Sequence, residues 1–382
     1  MISEIIKKIK SCLPKNKKGY HVHEPTFDLD TIKHVKKCIS STFVSTKGEY
    51  LDKFSDNLKN YTQANHVLLT NSGTSALFLC LKLLDLKGTE ILVPSMTFAA
   101  TVNSIIYNDA IPHFIDCENN SLNIDVNKFE KHLNENCVIK NNNCINKKTK
   151  KYIKCLFVVH AYGIPADITN IHKVCKKYNI EIIEDGAGAL GSFINNKHIG
   201  IQSRASILSF NGNKIVTTGM GGAILLRTKK DYLYLQHLLS TARVKHPWKV
   251  EHNTVGYNMR MSNINASLGY SQLLNIKKYL LNKKELYNSY KDIFLNDKYC
   301  YINEINKNIE PNHWVINIFL KDKYKKHQQD LIKELHKHKI FSRELWKPQH
   351  LSNQFKDFPK SNLTNSVNNW SKAISLPSSY YK

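Results

Sequence analysis

Acidic residues are scarce in this chain: 31 Asp and Glu stand against 55 Lys and Arg, a formal charge of +24 over 382 residues. A clustered surplus of that size would suggest a nucleic acid, because basic side chains neutralise phosphates and release counterions. Here the lysines are spread along the whole chain among abundant Asn and Ile, as a biased genome also produces, so no nucleic-acid partner is expected. The charge can still steer a nucleotide diphosphate at long range. Paired cysteine motifs are missing as well. The nine cysteines are scattered with no C-x-x-C, which excludes the usual zinc and dithiol patterns and predicts reduced thiols in a cytoplasmic protein without a metal site. No run reaches the ~18 apolar residues of a membrane span. The opening M-I-S-E-I-I-K-K-I-K-S-C places Ile2, Ile5, Ile6 and Ile9 on one helical face but lacks the apolar core of a signal peptide, and so predicts a short docking helix. There is no internal repeat.

The chain does have length and a 42% hydrophobic content, enough for a large α/β domain and a smaller one. Short apolar runs at 66–70, 90–94, 112–116, 152–160, 180–185, 205–210 and 222–227 alternate with helical patterns. This predicts a mostly parallel sheet covered on both faces, with ligands at the carboxyl ends of its strands. The Asn- and Lys-rich stretch 134–151 reads as a surface loop without chemistry. Beyond residue 261 the pattern turns helical, then to short strands and helices. The division expected is an N-terminal helix and arm at 1–45 joining the small domain, a large domain at 46–275 and a small α+β domain at 276–382.

Several runs at the predicted strand ends carry chemistry. In N-S-G-T-S-A-L (71–77), Gly73 allows a tight turn, and the N–H groups of Gly73, Thr74 and Ser75 at a helix start form an anion site. The same run reads equally as an ordinary capped helix start. Phe98, after the run ending at Pro94, offers a flat face for a ring. His160, Tyr162 and Gly163 follow the next strand. Glu184 and Asp185 end I-E-I-I-E-D, where two carboxylates beside a core call for a cationic partner. Lys214 lies in S-F-N-G-N-K-I-V-T-T-G-M-G-G, a glycine-rich turn after a strand, with Ser209 five residues before it. An amine and a carboxylate at the ends of neighbouring strands are what pyridoxal phosphate chemistry needs, one to form a Schiff base and one to hold the pyridinium proton.

Taken together these runs resemble the DegT-type nucleotide-sugar aminotransferases over nearly the whole chain. Within them, V-H-E-P-T-F, S-T-F-V-S-T-K-G-E-Y, A-I-P-H-F-I-D, I-N-K-K-T-K-K, S-F-N-G-N-K-I-V-T-T-G and G-Y-N-M-R-M-S-N-I-N-A-S-L-G are similar to the branch that makes 4-amino-4,6-dideoxy sugars for legionaminic acid and bacillosamine pathways. The resemblance implies the aspartate-aminotransferase-like fold type I. It implies pyridoxal 5′-phosphate as cofactor, with Lys214 forming the Schiff base, Asp185 on the pyridine nitrogen and Phe98 stacked on the ring. Gly73, Thr74, Ser75 and Ser209 would hold the phosphate, and Asn258 would reach the phosphate of the neighbouring subunit in a homodimer. The family's usual cycle moves an amino group from L-glutamate to a 4-keto-6-deoxy nucleotide sugar, expected for this chain to be UDP-linked, with a GDP-linked sugar as the alternative.

Two positions depart from the family pattern. Gly188 stands where a polar residue that contacts the cofactor's ring oxygen is usual, and Met220 where Gly or Glu is usual. Losing one hydrogen bond to a charged group weakens an equilibrium by roughly 1.5–3 kcal/mol. Two other readings stay open here: a sugar 3-dehydratase of the same fold, in which histidine replaces the lysine, and a catalytically degenerate binding homologue. Candidate substrate-facing groups are His160, Tyr162, Lys245, His246, Trp248 and Arg260.

Overall fold

The computed structural model describes residues 1–15, 17–119 and 121–381. Seven strands form the central run of its nine-stranded main sheet: β1 (His66–Thr70), β2 (Glu90–Pro94), β3 (Ile111–Ile115), β4 (Tyr152–Val159), β5 (Glu181–Asp185), β6 (Ala205–Ser209) and β7 (Gly222–Leu226). Their order in space is β1-β7-β6-β5-β4-β2-β3. β7 runs antiparallel to both neighbours, and the other pairs are parallel. The strands read as continuous apolar runs because both faces are covered. Ile91 and Val93, Phe157, and Ile183 enter one core with the helix Gly73–Leu81. Leu92, Leu156 with Val158, and Ile182 enter the opposite core, with the helices Val126–Asn136 and Ile168–Tyr178. This alternation is the period of two along a strand. Parallel pairing gathers the carboxyl ends of β1, β2, β4, β5 and β6 on one edge, and that edge positions the site.

The stretch read as a structureless loop is a hairpin. Strands Cys137–Lys140 and Asn143–Asn146 pair with each other, and the second also pairs with β4. Asn141 and Asn142 make its turn at φ 48° and 61°, a left-handed conformation that asparagine tolerates better than most residues. Buried Glu90 pins the hairpin base. It accepts from Asn146 Nδ2 at 2.9 Å and from the Thr149 hydroxyl, and lies 2.8 Å from His113 Nδ1.

After residue 300 the chain builds a second, antiparallel sheet in the order Cys300–Tyr301, Asn317–Leu320, Ala373–Ser375, Arg343–Glu344. The N-terminal helix Ile2–Cys12 packs against this unit, burying Ile5, Ile6 and Ile9 with Tyr290, Leu331 and Leu335. The next helix, Leu29–Ser40, lies on the helix Asn263–Leu274, where the hydroxyls of Thr31 and Ser271 are 2.9 Å apart. Among the described residues no helix is long and apolar enough to cross a membrane.

Candidate active site

The carboxyl edge of the main sheet opens into a cavity of about 400 Å³, within the size range of small-molecule sites. Gly73, Thr74, Phe98, His160, Tyr162, Asp185, Ser209 and Lys214 all line it, together with Gly188 and Met220. Segments far apart in sequence meet there because each follows a strand that ends on the same edge.

Lys214 stands on a closed loop. Phe210 N–H donates to the Gly221 carbonyl at 2.9 Å, and the Phe210 carbonyl accepts from Thr218 N–H at 2.9 Å, while Lys214 N–H donates to the Asn211 carbonyl at 2.9 Å. The side chain remains reachable from the cavity, yet enough protein surrounds the amine to lower its pKa to about 7. Burial is the dominant cause, and the charge of Asp185 opposes it. A lysine in that range is partly neutral near pH 7 and can act both as nucleophile and as proton carrier.

Asp185 ends β5, next to β6 in the sheet. Thr101 Oγ1 donates to its Oδ2 at 2.7 Å and Ala187 N–H to its Oδ1 at 3.0 Å. Among the described residues no ion pair closes on this buried carboxylate; the amine of Lys214 shares its cavity and feels its charge without pairing with it. Glu184, one residue earlier, points the other way. Its carboxylate lies 2.9 Å from His160 Nε2 and accepts from the N–H groups of Gly200 at 2.9 Å and Ser203 at 3.2 Å. Burial acts to raise its pKa, but these contacts outweigh burial and hold it below the usual value. His160 Nδ1 accepts from Ala166 N–H at 3.1 Å. Both ring nitrogens are therefore committed within the wall, and only the ring's surface is left for a ligand.

The anion cradle is smaller than the sequence implies. Ser72 caps the helix Gly73–Leu81 by accepting from Ser75 N–H at 3.0 Å, and Ser75 Oγ donates to Asn71 at 2.6 Å. Ser75 is thus spent on the helix start, whereas Gly73 and Thr74 face the cavity beside Ser209. A Cβ on Gly73 would lie 2.9 Å from that of Ser209, so glycine alone lets the helix start meet the end of β6.

Phe98 is 60% exposed at the mouth, edge-on to Trp346. Trp346 stacks on Tyr162 with ring centres 4.1 Å apart, and its backbone N–H donates to the Tyr162 hydroxyl at 2.7 Å. Trp314 closes the floor, with its ring centre 3.4 Å from Lys214 Nζ. Neither Trp314, Trp346 nor Thr101 stood out in the sequence. The tryptophans arrive from the C-terminal unit, and only Thr101, one turn into the helix after Phe98, had a local signal.

Five predicted residues lie away from this cavity. Lys245 and Arg260 line a separate groove with Asp52 and Arg243. His246 packs edge-on against Trp248, which is 79% exposed. Asn258 bridges to Ser240 on the outer side. All five belong to the excursion between the helices Lys229–Leu239 and Asn263–Leu274, which returns beside the carboxyl end of the edge strand β1, where Arg260 bridges Thr70.

Known proteins share this sequence and shape. GDP-perosamine synthase of Vibrio cholerae is 29% identical over 94% of this chain and 93% of its own length. UDP-4-amino-4,6-dideoxy-N-acetyl-beta-L-altrosamine transaminase of Campylobacter jejuni is 32% identical over 75% of this chain and 69% of its own. Among solved structures, Helicobacter pylori PseC, an aminotransferase involved in the biosynthesis of pseudoaminic acid, superposes with a TM-score of 0.85 at 24% identity over 94% of both chains, which matches the fold type I architecture. The profile of one family matches residues 25–380. The chain therefore belongs to the DegT/DnrJ/EryC1/StrS aminotransferase family, whose enzymes depend on pyridoxal phosphate.

Proposed function

We propose that this enzyme transfers an amino group from L-glutamate to carbon 4 of a nucleotide-linked 4-keto-6-deoxy sugar, most consistently a UDP-linked 2-acetamido-2,6-dideoxy sugar destined for a surface glycan. The observation that carries the proposal is Lys214, with its lowered pKa, facing the same cavity as the carboxylate of Asp185, on which no ion pair closes among the described residues. The transaminases of Campylobacter jejuni support a UDP-linked substrate. The perosamine synthases make a GDP-linked substrate the second reading. The presence of Lys214 where the dehydratases have histidine favours transfer over dehydration.

The residues fit the cofactor. Asp185 is an acceptor-only group whose remaining lone pairs can hold a pyridinium proton, and the Gly73–Ser209 contact leaves a cradle of N–H and O–H donors that a phosphate fills. Bound there, pyridoxal phosphate supplies the carbon that carries the amino group and the electron sink that stabilises a carbanion. Asp185 keeps the ring nitrogen protonated and the ring orientated. Lys214 Nζ would carry the proton lost by the donor carbon to the carbon that takes up the amino group, and would run the same transfer backwards with the acceptor sugar. Phe98 and the Tyr162–Trp346 stack exclude water and give the flat ring an apolar face. We read the cofactor-holding unit as residues 46–275 and the small unit as 276–382, with the arm 1–45 attached. In this reading the enzyme is a cytoplasmic homodimer, with Asn258 and the flanking excursion serving the partner's site.

The test is an absorbance spectrum of purified protein with pyridoxal phosphate, before and after glutamate, beside Lys214→Ala. A visible band that glutamate bleaches in the wild type and that never forms in the variant supports the half-reaction. UDP- and GDP-linked 4-keto sugars then decide the acceptor. Absence of the band in the wild type ends the reading.

A further inference from the structure

We propose that Trp314 is the positioning residue for Lys214: its indole is wedged between Gly188 and the lysine, and its face fixes where the amine sits.

The ring is held on every side. Trp314 Nε1–H donates to the Asn213 carbonyl at 2.7 Å, one residue before the lysine it supports. Its backbone N–H donates to Asn312 Oδ1 at 2.9 Å, and Asn312 Nδ2 in turn donates to the Gly188 carbonyl at 2.8 Å. The Trp314 carbonyl accepts from Lys283 Nζ at 3.2 Å. Behind the ring, a Cβ at position 188 would lie 2.3 Å from Cε3 and 2.6 Å from Cζ3, far inside the contact distance of non-bonded carbons. The absence of a side chain at 188 is thus the condition for the indole to lie where it does. Lys214 Nζ sits 3.4 Å from the ring centre, where the negative face of the indole attracts an ammonium. Burial drives the proton off the amine and the ring face holds it on, and that opposition suits a group that must both accept and release protons. A leucine would preserve the burial and remove the attraction. A phenylalanine would preserve both but lose the tie to Asn213.

The inference rests on Lys214 being the reactive amine, but its test does not use the bound cofactor. The charged and titratable groups around Lys214 are Asp185, His160, Tyr162, His23, Lys283, Arg343 and Glu344, and none is altered. In cofactor-free protein, the rate at which an amine-reactive acetylating reagent modifies Lys214 is followed against pH by mass spectrometry of its peptide. Wild type, Trp314→Leu, Trp314→Phe and Gly188→Ala are compared, with circular dichroism to confirm folding. The wild-type midpoint is expected near 7. Trp314→Leu should lower it by about one pH unit, roughly tenfold in proton affinity, whereas Trp314→Phe should stay within a few tenths. Gly188→Ala, which pushes the ring away, should shift in the same direction as Trp314→Leu, and it decides the matter if the leucine variant does not fold. A midpoint unchanged in the folded leucine or alanine variant, or a phenylalanine variant that shifts as far as leucine, overturns the proposal. The cofactor absorbance band is a separate readout, so its loss would count against the assigned reaction and not against Trp314.

Discussion

Lys214 and Lys283 are both buried lysines whose pKa falls to about 7 for the same first reason, burial, and both meet Trp314. Lys214 meets the ring and faces a cavity. Lys283 meets the carbonyl, donates also to the Ser378 carbonyl and does not line the cavity that Lys214 faces. A lowered pKa therefore does not identify a reactive amine by itself: spare valence and access do. The neighbours Glu184 and Asp185 repeat the contrast, since one carboxylate is saturated by His160 and two backbone N–H groups and the other keeps lone pairs for a ligand.

The largest expected effect separates the lysines. Lys214→Ala should lower amino transfer by at least ~10²–10⁴-fold, the scale of a lost proton carrier, with little change in melting temperature. Lys283→Met should retain the cofactor band and lose stability, roughly 1–3 kcal/mol for each carbonyl left uncapped, measured by denaturant titration. If Lys283→Met loses the band as completely as Lys214→Ala, the contrast fails.

The carboxylates should separate in the same way. Glu184→Ala removes one partner of a buried pair and should destabilise the fold by about 3–5 kcal/mol, whereas Asp185→Asn should leave denaturant stability nearly unchanged and slow transfer by ~10²-fold or more. Equal stability losses would show that Asp185 is a structural acid after all.

The pH response sharpens the comparison further. In the folded chain both lysines titrate near 7, against 10.5 when free. Between those values the unfolded chain binds more protons, so stability should rise with pH across the window. Thermal melts of cofactor-free protein should show that rise, and Lys283→Met should flatten it. The smallest effect is expected at Met220, which is exposed at the cavity rim: Met220→Gly should change kcat/KM by no more than about twofold, within the ±0.5 kcal/mol usual for surface sites.

Much of this architecture was legible because the main strands are continuous apolar runs and their ends carry Gly73, Asp185, Ser209 and Lys214. The hairpin at 137–146 was hidden because only Cys137, Cys144 and Asn146 are buried, too few to rise above an Asn-rich composition. The Asn141–Asn142 pair between C-V-I-K and N-C-I-N was the turn signal. The meaning of Gly188 could not be read locally either. It depends on Trp314, which only tertiary packing brings beside it. Ser75 was read as a phosphate ligand since the sequence does not say which of three N–H groups the Ser72 cap takes.

The hydrogen bond from the Trp314 indole to the Asn213 carbonyl joins residues 101 positions apart. It means that the loop bearing the reactive amine draws its rigidity from the C-terminal sheet as much as from the strands it connects. Amide exchange in the loop around Lys214 should then follow the opening of that distant sheet, so that undocking the C-terminal unit would silence the amine while the central sheet is still intact.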